Sequence, residues 1–232
     1  MVRFCGRVDQ GRIVEQKLFY GVLPTPNDGS VWLPQCGCEP NYNPEYQKLV
    51  GPRYQITDTA INLFWDVVDL PLPTVQSNHK SKLAAIRYAY ATAGTFWTDP
   101  NGVTQEVDTT DDVVIKLVGA CLMSLLAQMQ GHPFSLQWKF GSQADAGFFI
   151  TLTSEVLITV FLAASNHVQM CYQNESDLTY RINAAHTPEE VMAVDITKGW
   201  PVECCANPPD ISAIMAPSVP IDTSVPLSLL SR

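Results

Sequence analysis

The stretch TDDVVIKLVGACLMSLLAQMQG at residues 110–131 decides the fold. Thr110 or Asp111 supplies an N-terminal cap, and Gly131, followed by Pro133, ends the pattern, so these residues bound a helix. The apolar residues between them recur at spacings of three and four, the period of one helix face: Val114, Leu117, Val118, Cys121, Leu122, Leu125 and Met129. A long α-helix with an apolar face is therefore predicted in the middle of the chain.

Two further helices are predicted on either side of this one. The first takes Ser81 as its N-cap and ends at Gly94, and the third opens at Glu155 and continues to about Ala185. The inward stripe of the third helix is expected to be Leu157, Phe161, Ala164, Val168 and Cys171. Three helices are thus expected between residues 81 and 185.

Two β-hairpins are predicted between these helices. Asp99-Pro-Asn-Gly supplies a turn between β-prone arms, and it predicts a hairpin directly after the first helix. A second hairpin pairs residues 134–140 with 147–152 through a polar loop that contains Gly141, Ser142 and Asp145. The expected order over 81–185 is helix, hairpin, helix, hairpin, helix.

The N-terminal part is rich in Pro, Gly, Asn and aromatic residues and predicts a small β-rich unit at 1–76. Its candidate strands are Arg12–Val14, Lys17–Val22, Ser30–Leu33, Tyr54–Thr57 and Leu63–Val68. Much of the aromatic content of the chain is concentrated there, at Trp32, Tyr42, Tyr46, Tyr54, Phe64 and Trp65. They favour either a contact surface for a partner or ligand, or the core of the unit, and both interpretations remain open.

The last part of the chain predicts one short helix and then an extended arm. Thr187-Pro-Glu-Glu places proline at the first helical position and acids in the first turn. Residues 197–232 contain six prolines and no sustained periodicity, so we expect them to extend or to order against another chain. The sequence as a whole predicts an α+β protein with a β-rich unit at 1–76, a helix–hairpin domain at 77–186 and a helix with a Pro-rich arm at 187–232.

The charge and hydropathy of the chain argue against two classes of partner. With 14 basic and 23 acidic residues the net charge is −9, which disfavours nucleic-acid binding because that depends on clustered Lys and Arg. The longest apolar run is interrupted by Lys116, Ser124 and Gln128, so no membrane span is expected. The first residues lack the pattern of a secretory signal, and synthesis in the cytoplasm is the expectation.

The cysteines are the main candidates for a metal site. Cys36-Gly-Cys38 and Cys204-Cys205 could together offer four thiolates to zinc, but both pairs are tighter than the usual Cys-x₂₋₄-Cys spacing. Metal ligation and disulfide formation stay open for these four residues, while turn and interface positions are favoured. Cys121 and Cys171 fall on apolar helical faces and are expected in the core.

Other candidate catalytic groups have structural interpretations. The histidines do not pair at helical spacing, and surface or capping roles are expected for all of them: His79, His132, His167 and His186. Asp108, Asp111 and Asp112 stand at a helix start, where carboxylates favour the helix dipole. No nucleophile elbow, Walker or Rossmann pattern occurs, so the sequence predicts no enzyme, no cofactor and no catalytic or metal residue.

Several segments resemble a small domain found near the C-termini of tailed-bacteriophage tail-fibre and tail-fibre-assembly proteins. The matching features are KSKLAAIRYAYATAG from Lys80, the strand Thr95-Phe-Trp-Thr, the Ala-Cys-Leu-Met-Ser-Leu-Leu helix centre, the strand PFSLQWKF and the helix ITLTSEVLITVFLAASNHVQ. Upstream, 43–52 and Trp65-Asp-Val-Val-Asp-Leu-Pro are similar to the linker strands that precede this domain. The resemblance covers about residues 40–185.

The resemblance implies a structural component of a bacteriophage tail, either a tail-fibre or a tail-tip or baseplate subunit, that takes part in tail assembly and host attachment. It implies other tail proteins as partners, a homo-oligomer that is trimeric, contact with a host-surface receptor, and a place in the virion after assembly in the host cytoplasm. One alternative is a fibre-assembly chaperone that is not retained in the virion. Another is a thiol- or metal-dependent hydrolase of cell-surface polymer, which rests only on Cys36, Cys38, Cys204 and Cys205.

Overall fold

The computed structural model describes residues 2–20, 22–140 and 148–216, and its architecture is α+β. A β-rich N-terminal sheet is followed by helices, which confirms the predicted class. The chain divides into two compact units, of which the first runs up to Leu70 and the second spans Pro71–Ala216.

The first unit is a five-stranded sheet with the strand order β2-β1-β3-β5-β4. The strands are β1 Val2–Asp9, β2 Arg12–Tyr20, β3 Val31–Cys36, β4 Gln47–Ile56 and β5 Ile61–Asp69. β3 and β5 run parallel, and the other neighbouring strands are antiparallel. β2 and β4 are therefore the two edges of the sheet.

β1 was not predicted, and the predicted pieces 12–14 and 17–22 are largely parts of the single strand β2. A two-residue turn joins β1 to β2, with Asp9 paired to Arg12 and positive φ at both central residues, Gln10 at 45° and Gly11 at 75°. This backbone twist matches that of antiparallel strands, and glycine adopts it without steric cost.

The core of this unit is aliphatic. Val8, Leu33 and Ile61 form its buried cluster. Gly6 allows the strands to approach there, because a Cβ at this position would lie 2.6 Å from Ile61 Cδ1.

The six aromatic residues named in the sequence analysis are not part of this buried cluster. Tyr54 and Phe64 are exposed, and the other four are half-buried. Trp32 packs edge-on against Phe19, with ring centroids 4.6 Å apart. The interpretation in which these aromatic side chains make up the buried core is therefore wrong, and the contact surface stays a prediction.

The second unit alternates helices and hairpins before a short C-terminal segment. Its longer elements are α1 Leu72–Ala91, β6 Thr95–Thr98, β7 Thr104–Val107, α2 Asp111–Met129, β8 Ser135–Phe140, β9 Phe148–Thr153 and α3 Ser154–Ala184. The segment after α3 contains α4 Pro188–Met192, a 3-10 helix at Val202–Cys204 and α5 Ser212–Met215. The predicted loop with Gly141, Ser142 and Asp145 lies outside the described residues.

α1 begins earlier than predicted, at Leu72, and Ser81 is not its cap. The hydroxyl of Ser81 lies inside the helix and donates to the carbonyl of Ser77 at 3.0 Å. Pro71 precedes the helix and Pro73 is in its first turn, where a missing backbone N–H removes no hydrogen bond. Pro71 and Pro73, whose sequence context is typical of a linker, therefore mark the start of the helix.

The core of the second unit lies between the hairpins, α2 and α3. Trp97 of β6 stacks on Phe140 of β8, with ring centroids 5.6 Å apart. Leu117 of α2 and Leu157 of α3 are fully buried in the same cluster. The buried side of α3 consists of Leu157, Val160, Ala164, His167, Cys171, Leu178 and Ile182.

Residues 198–216 pack onto this unit, so the prediction of an extended arm from Thr197 is wrong for them. Trp200 is buried and stacks on Tyr90 at 5.3 Å between ring centroids. The backbone N–H of Ala206 donates to the carbonyl of Gly94 at 3.2 Å. Trp200 and a few backbone hydrogen bonds hold this segment on the unit. Such contacts leave no periodic pattern in the sequence. The rest of the predicted arm, 217–232, lies outside the described residues.

Candidate functional site

α2 has two apolar faces, and only one of them is covered. Leu117 and Ser124 point into the core and are buried. The other face leaves five side chains between 50% and 76% exposed: Ile115, Val118, Leu122, Leu125 and Met129. Met123 and Leu126 are exposed beside them. We call these seven residues the α2 outer face.

By length and composition, α2 could also cross a membrane. Length and composition alone are weak evidence for a membrane span, and Leu117 holds the helix against the core of its own unit. The expectation that the chain does not span a membrane stays a prediction.

A cleft of about 380 Å³ opens between the end of α1, the start of α2 and the middle of α3. Arg87 lies on one wall, with its guanidinium carbon 4.6 Å from the centre of the Tyr172 ring. Arg87 Nε also lies 3.3 Å from a carboxylate oxygen of Glu175. The volume is within the range of small-ligand sites.

The lining of this cleft combines apolar side chains with two charged groups. Its lining contains no histidine, cysteine or serine, and its charged groups are Arg87 and Asp111. The hydroxyl of Thr109 donates to the carbonyl of Ala91 at 2.7 Å and accepts the N–H of Gly94 at 2.9 Å. Thr109 therefore holds the connection between α1 and β6, and the lining offers no paired nucleophile and base.

The sheet of the first unit has a groove of about 620 Å³ between its two edge strands. Ile13 and Val14 of β2 line one side, and Tyr54 and Ile56 of β4 line the other. An edge strand presents backbone donors and acceptors to any strand that lies beside it. This groove is a second candidate binding surface.

The four cysteines proposed for a metal site divide between the two units. Cys36 and Cys38 are exposed and form no disulfide. Cys205 is buried in the second unit, where its backbone pairs with that of Thr95. Among residues 2–20, 22–140 and 148–216, no group of three or more His, Cys, Asp or Glu side chains could hold a metal ion.

Cys121 and Cys171 were expected in the core. Cys171 is fully buried, which confirms its prediction, and Cys121 is half-buried against the core. Burial raises the pKa of Cys171 to about 11 and also raises the pKa of Cys121. Both thiols are therefore protonated near neutral pH, which suits packing more than nucleophilic chemistry.

His79 and His167 are buried, so the expected surface or capping role is wrong for these two. His79 Nε2 donates to the carbonyl of Val194 at 3.0 Å, and His167 Nε2 donates to the carbonyl of Tyr90 at 2.9 Å. Each ring joins two segments that are distant in sequence. The sequence pattern does not reveal this role, because every residue has a backbone carbonyl and nothing in the sequence marks the two that accept from these histidines.

The other two histidines lie at helix ends, as expected. The backbone N–H of His186 donates to the Glu190 carboxylate at 2.7 Å at the start of α4. The backbone N–H of His132 donates to the carbonyl of Ala127 at 2.9 Å after α2. Both side chains are exposed.

The three acids near the start of α2 act locally. Asp108 accepts the N–H of Thr110 at 2.7 Å, and Asp112 pairs with Lys116 one turn along the helix. Asp111 is the first residue of α2 and lines the cleft. Thr110 occupies the cap position, but its side chain makes no capping hydrogen bond.

Comparison with known proteins identifies a family without identifying an activity. The family model described as a domain of unknown function, DUF4376, matches residues 74–198. No curated protein matches the chain. No solved structure matches it either. Because the matched residues make up more than half of the chain, this protein belongs to the DUF4376 family.

Proposed function

We propose that this chain is a structural component of a bacteriophage tail, in a tail fibre, tail tip or baseplate, with roles in tail assembly and host attachment. The observation that carries the proposal is the amount of large apolar side chain that both units leave exposed. Tyr20, Phe64 and Leu18 in the first unit and the α2 outer face in the second are examples. Exposed apolar surface of this extent is typical of proteins that assemble with others.

The first unit is the proposed docking or receptor-contacting part. Its groove between β2 and β4 combines apolar side chains with two open strand edges. Both features suit contact with another protein chain, because edge backbones give affinity and the side chains between them give specificity. The partners in this proposal are other tail proteins and a receptor on the host surface.

The helix–hairpin domain at 77–186 is the proposed mechanical centre of the subunit, and the Pro-rich end is an arm that becomes ordered against neighbouring subunits. Support for both comes from the resemblance of residues 40–185 to tail-fibre domains and from the low periodicity of the last residues. The proposed assembly is a homo-oligomer, trimeric by that resemblance, which forms in the host cytoplasm and resides in the virion.

The deciding experiment is mass spectrometry of purified tailed particles produced from a genome that encodes this chain. We expect the chain in particles, in several copies, together with other tail proteins. If it is absent from particles while its deletion leaves them without fibres, it is an assembly chaperone and the structural proposal fails. If deletion changes neither fibres nor attachment, both roles fail.

A truncation tests the arm separately. Deleting 217–232 keeps Trp200 and Cys205, which are buried in the second unit, whereas deleting from Lys198 would remove both. We expect the shorter truncation to fold normally and to weaken incorporation into particles. Its matched control is the full chain with residues 217–232 scrambled. Equal incorporation of the full chain and the truncated chain would contradict the role of the arm.

A further inference from the structure

We propose that the α2 outer face is a self-association surface, on which α2 of a second copy of this chain packs as in a coiled coil. Ile115, Val118, Leu122, Leu125 and Met129 follow one another at spacings of three, four, three and four residues. This is the repeat by which two helices interlock their side chains along a shared seam. The spacing of these exposed residues is thus regular, as in a helix–helix interface, whereas isolated apolar residues on a surface have no such repeat.

One face of α2 is buried in its own unit, and the seam lies on the exposed face of the same helix. Leu117 and Ser124 hold α2 to its own unit from the other side. The seam residues retain half or more of their accessible surface. With Met123 and Leu126, they amount to an area on the order of several hundred Å², comparable with the roughly 800 Å² that each partner contributes to a stable interface.

Gly119 supports close approach of a second helix. It lies in the middle of α2, between Val118 and Leu122, and a Cβ added to it would meet nothing within 4 Å. Glycine inside a helix costs about 0.5–1 kcal/mol relative to alanine, and no contact among the described residues requires it. The open space at this position leaves room for a second helix beside the seam.

The charges of α2 argue against a helix that lies on a membrane surface. Helices that lie on membranes carry Lys and Arg along their polar face. α2 has Lys116 alone, which pairs with Asp112, and it begins with Asp111 and Asp112. From Leu117 to Met129 the helix has no charged residue, so two copies of a chain with net charge −9 can meet there without local repulsion.

The test measures the mass of the full chain by sedimentation and native mass spectrometry over a dilution series. We expect the wild type to have at least twice the mass of one chain. Leu122→Glu should raise the apparent dissociation constant at least about 30-fold, because a charge replaces a central interface side chain. The matched control is Val103→Glu, which adds the same charge at a similarly exposed valine in the first hairpin of the same unit and should associate as the wild type does.

A second variant guards against misfolding. Met129→Glu changes the last residue of α2, which is 76% exposed, and should weaken association while leaving the circular dichroism spectrum unchanged. A monomeric wild type, or association that neither substitution weakens, overturns the proposal. Flotation of the wild type with phosphatidylcholine vesicles, lost on Leu122→Glu, would also overturn it in favour of a membrane contact.

This inference names a surface for the proposed homo-oligomer but does not rest on a place in the tail, and these two proposals fail separately. A chain that is absent from particles but still associates through α2 would end the tail proposal and leave the interface standing. A chain that is present in particles but whose self-association is unchanged by Leu122→Glu would end the interface proposal and leave the tail proposal standing.

Discussion

α2 and α3 are the two most apolar long helices of the second unit, but the apolar repeat of α3 is buried within the chain and most of that of α2 is exposed. Along α3 the repeat is buried from Leu157 to Ile182. Along α2 only Leu117 and Ser124 are buried, while Leu122 and its neighbours are exposed. The comparison shows that apolar periodicity identifies a face that another surface can cover, without showing whether that surface belongs to the same chain.

The largest test of this contrast compares two leucine-to-alanine changes. Leu157→Ala should lower the free energy of unfolding by about 2–5 kcal/mol, because it leaves a cavity in the core. Leu122→Ala should change it by about 0.5 kcal/mol or less when measured at a concentration where the chain is monomeric. Urea unfolding of both variants is the measurement, and equal losses would remove the contrast.

His167 is the polar member of the buried side of α3, and its replacement has the next largest effect. His167→Leu keeps an apolar volume but removes one donor from the carbonyl of Tyr90, which still accepts the N–H of Ala93 at 3.3 Å. The expected loss is about 0.5–1.5 kcal/mol, the net contribution of one hydrogen bond. His132→Leu, at an exposed position after α2, is the control and should be nearly neutral in the same unfolding experiment. A neutral His167→Leu would show that this hydrogen bond contributes little.

Gly119→Ala should raise the stability of the monomer, whereas the preceding substitutions lower it. Because the new methyl group meets nothing within 4 Å, the change should stabilise the monomer by about 0.5–1 kcal/mol through helix propensity. Thermal unfolding of the dilute chain tests this. Gly199→Ala is a contrasting control: its φ is +84° and the added Cβ would lie 2.3 Å from Asn174 Oδ1, so stability should fall. Destabilisation by Gly119→Ala would mean that this helix face is already covered within one chain.

The smallest effect concerns the turn that helps to cover α3. Asp195 accepts hydrogen bonds from the backbone and hydroxyl of Thr197 and pairs with Lys198, and these contacts lower its pKa to about 2. Since the folded pKa is below the usual 3.8, the carboxylate stabilises the fold above about pH 4, and this contribution is lost as the pH falls towards 2. Asp195→Asn should lower the melting temperature slightly at neutral pH, because the pair is exposed and screened. The difference from wild type should vanish near pH 2, and a constant difference across this range would speak against the carboxylate.

The sequence predicted the α+β class because local patterns carry it: alternation and turns in the first unit, and repeats of three and four in the second. The start of α1 was missed because Pro71 and Pro73 are compatible with both a linker and a first helical turn. The folding of residues 198–216 onto the unit was missed because it depends on long-range contacts, namely the stack of Trp200 on Tyr90 and backbone hydrogen bonds such as that from Ala206 to Gly94.

The candidate surfaces were less accessible to sequence reasoning. The cleft brings Arg87 together with Tyr172 and Glu175, and no local pattern connects residues so far apart. The α2 outer face did have a signal, since its spacing is visible in the sequence. Its exposure depends on which side of the helix the hairpins and α3 already cover.

The pairing of α1 with α3 has a consequence for the order of events during synthesis. The side-chain amide of Gln76 donates to the carbonyl of Ile182, which is 106 residues later in the chain. At translation rates of about 5–20 residues per second, α1 waits on the order of 5–20 s for its partner helix. During that interval Val75, Leu83 and Ile86, which the finished fold buries, have no α3 to cover them, and nascent chains that end before residue 182 should be cut by proteases within α1.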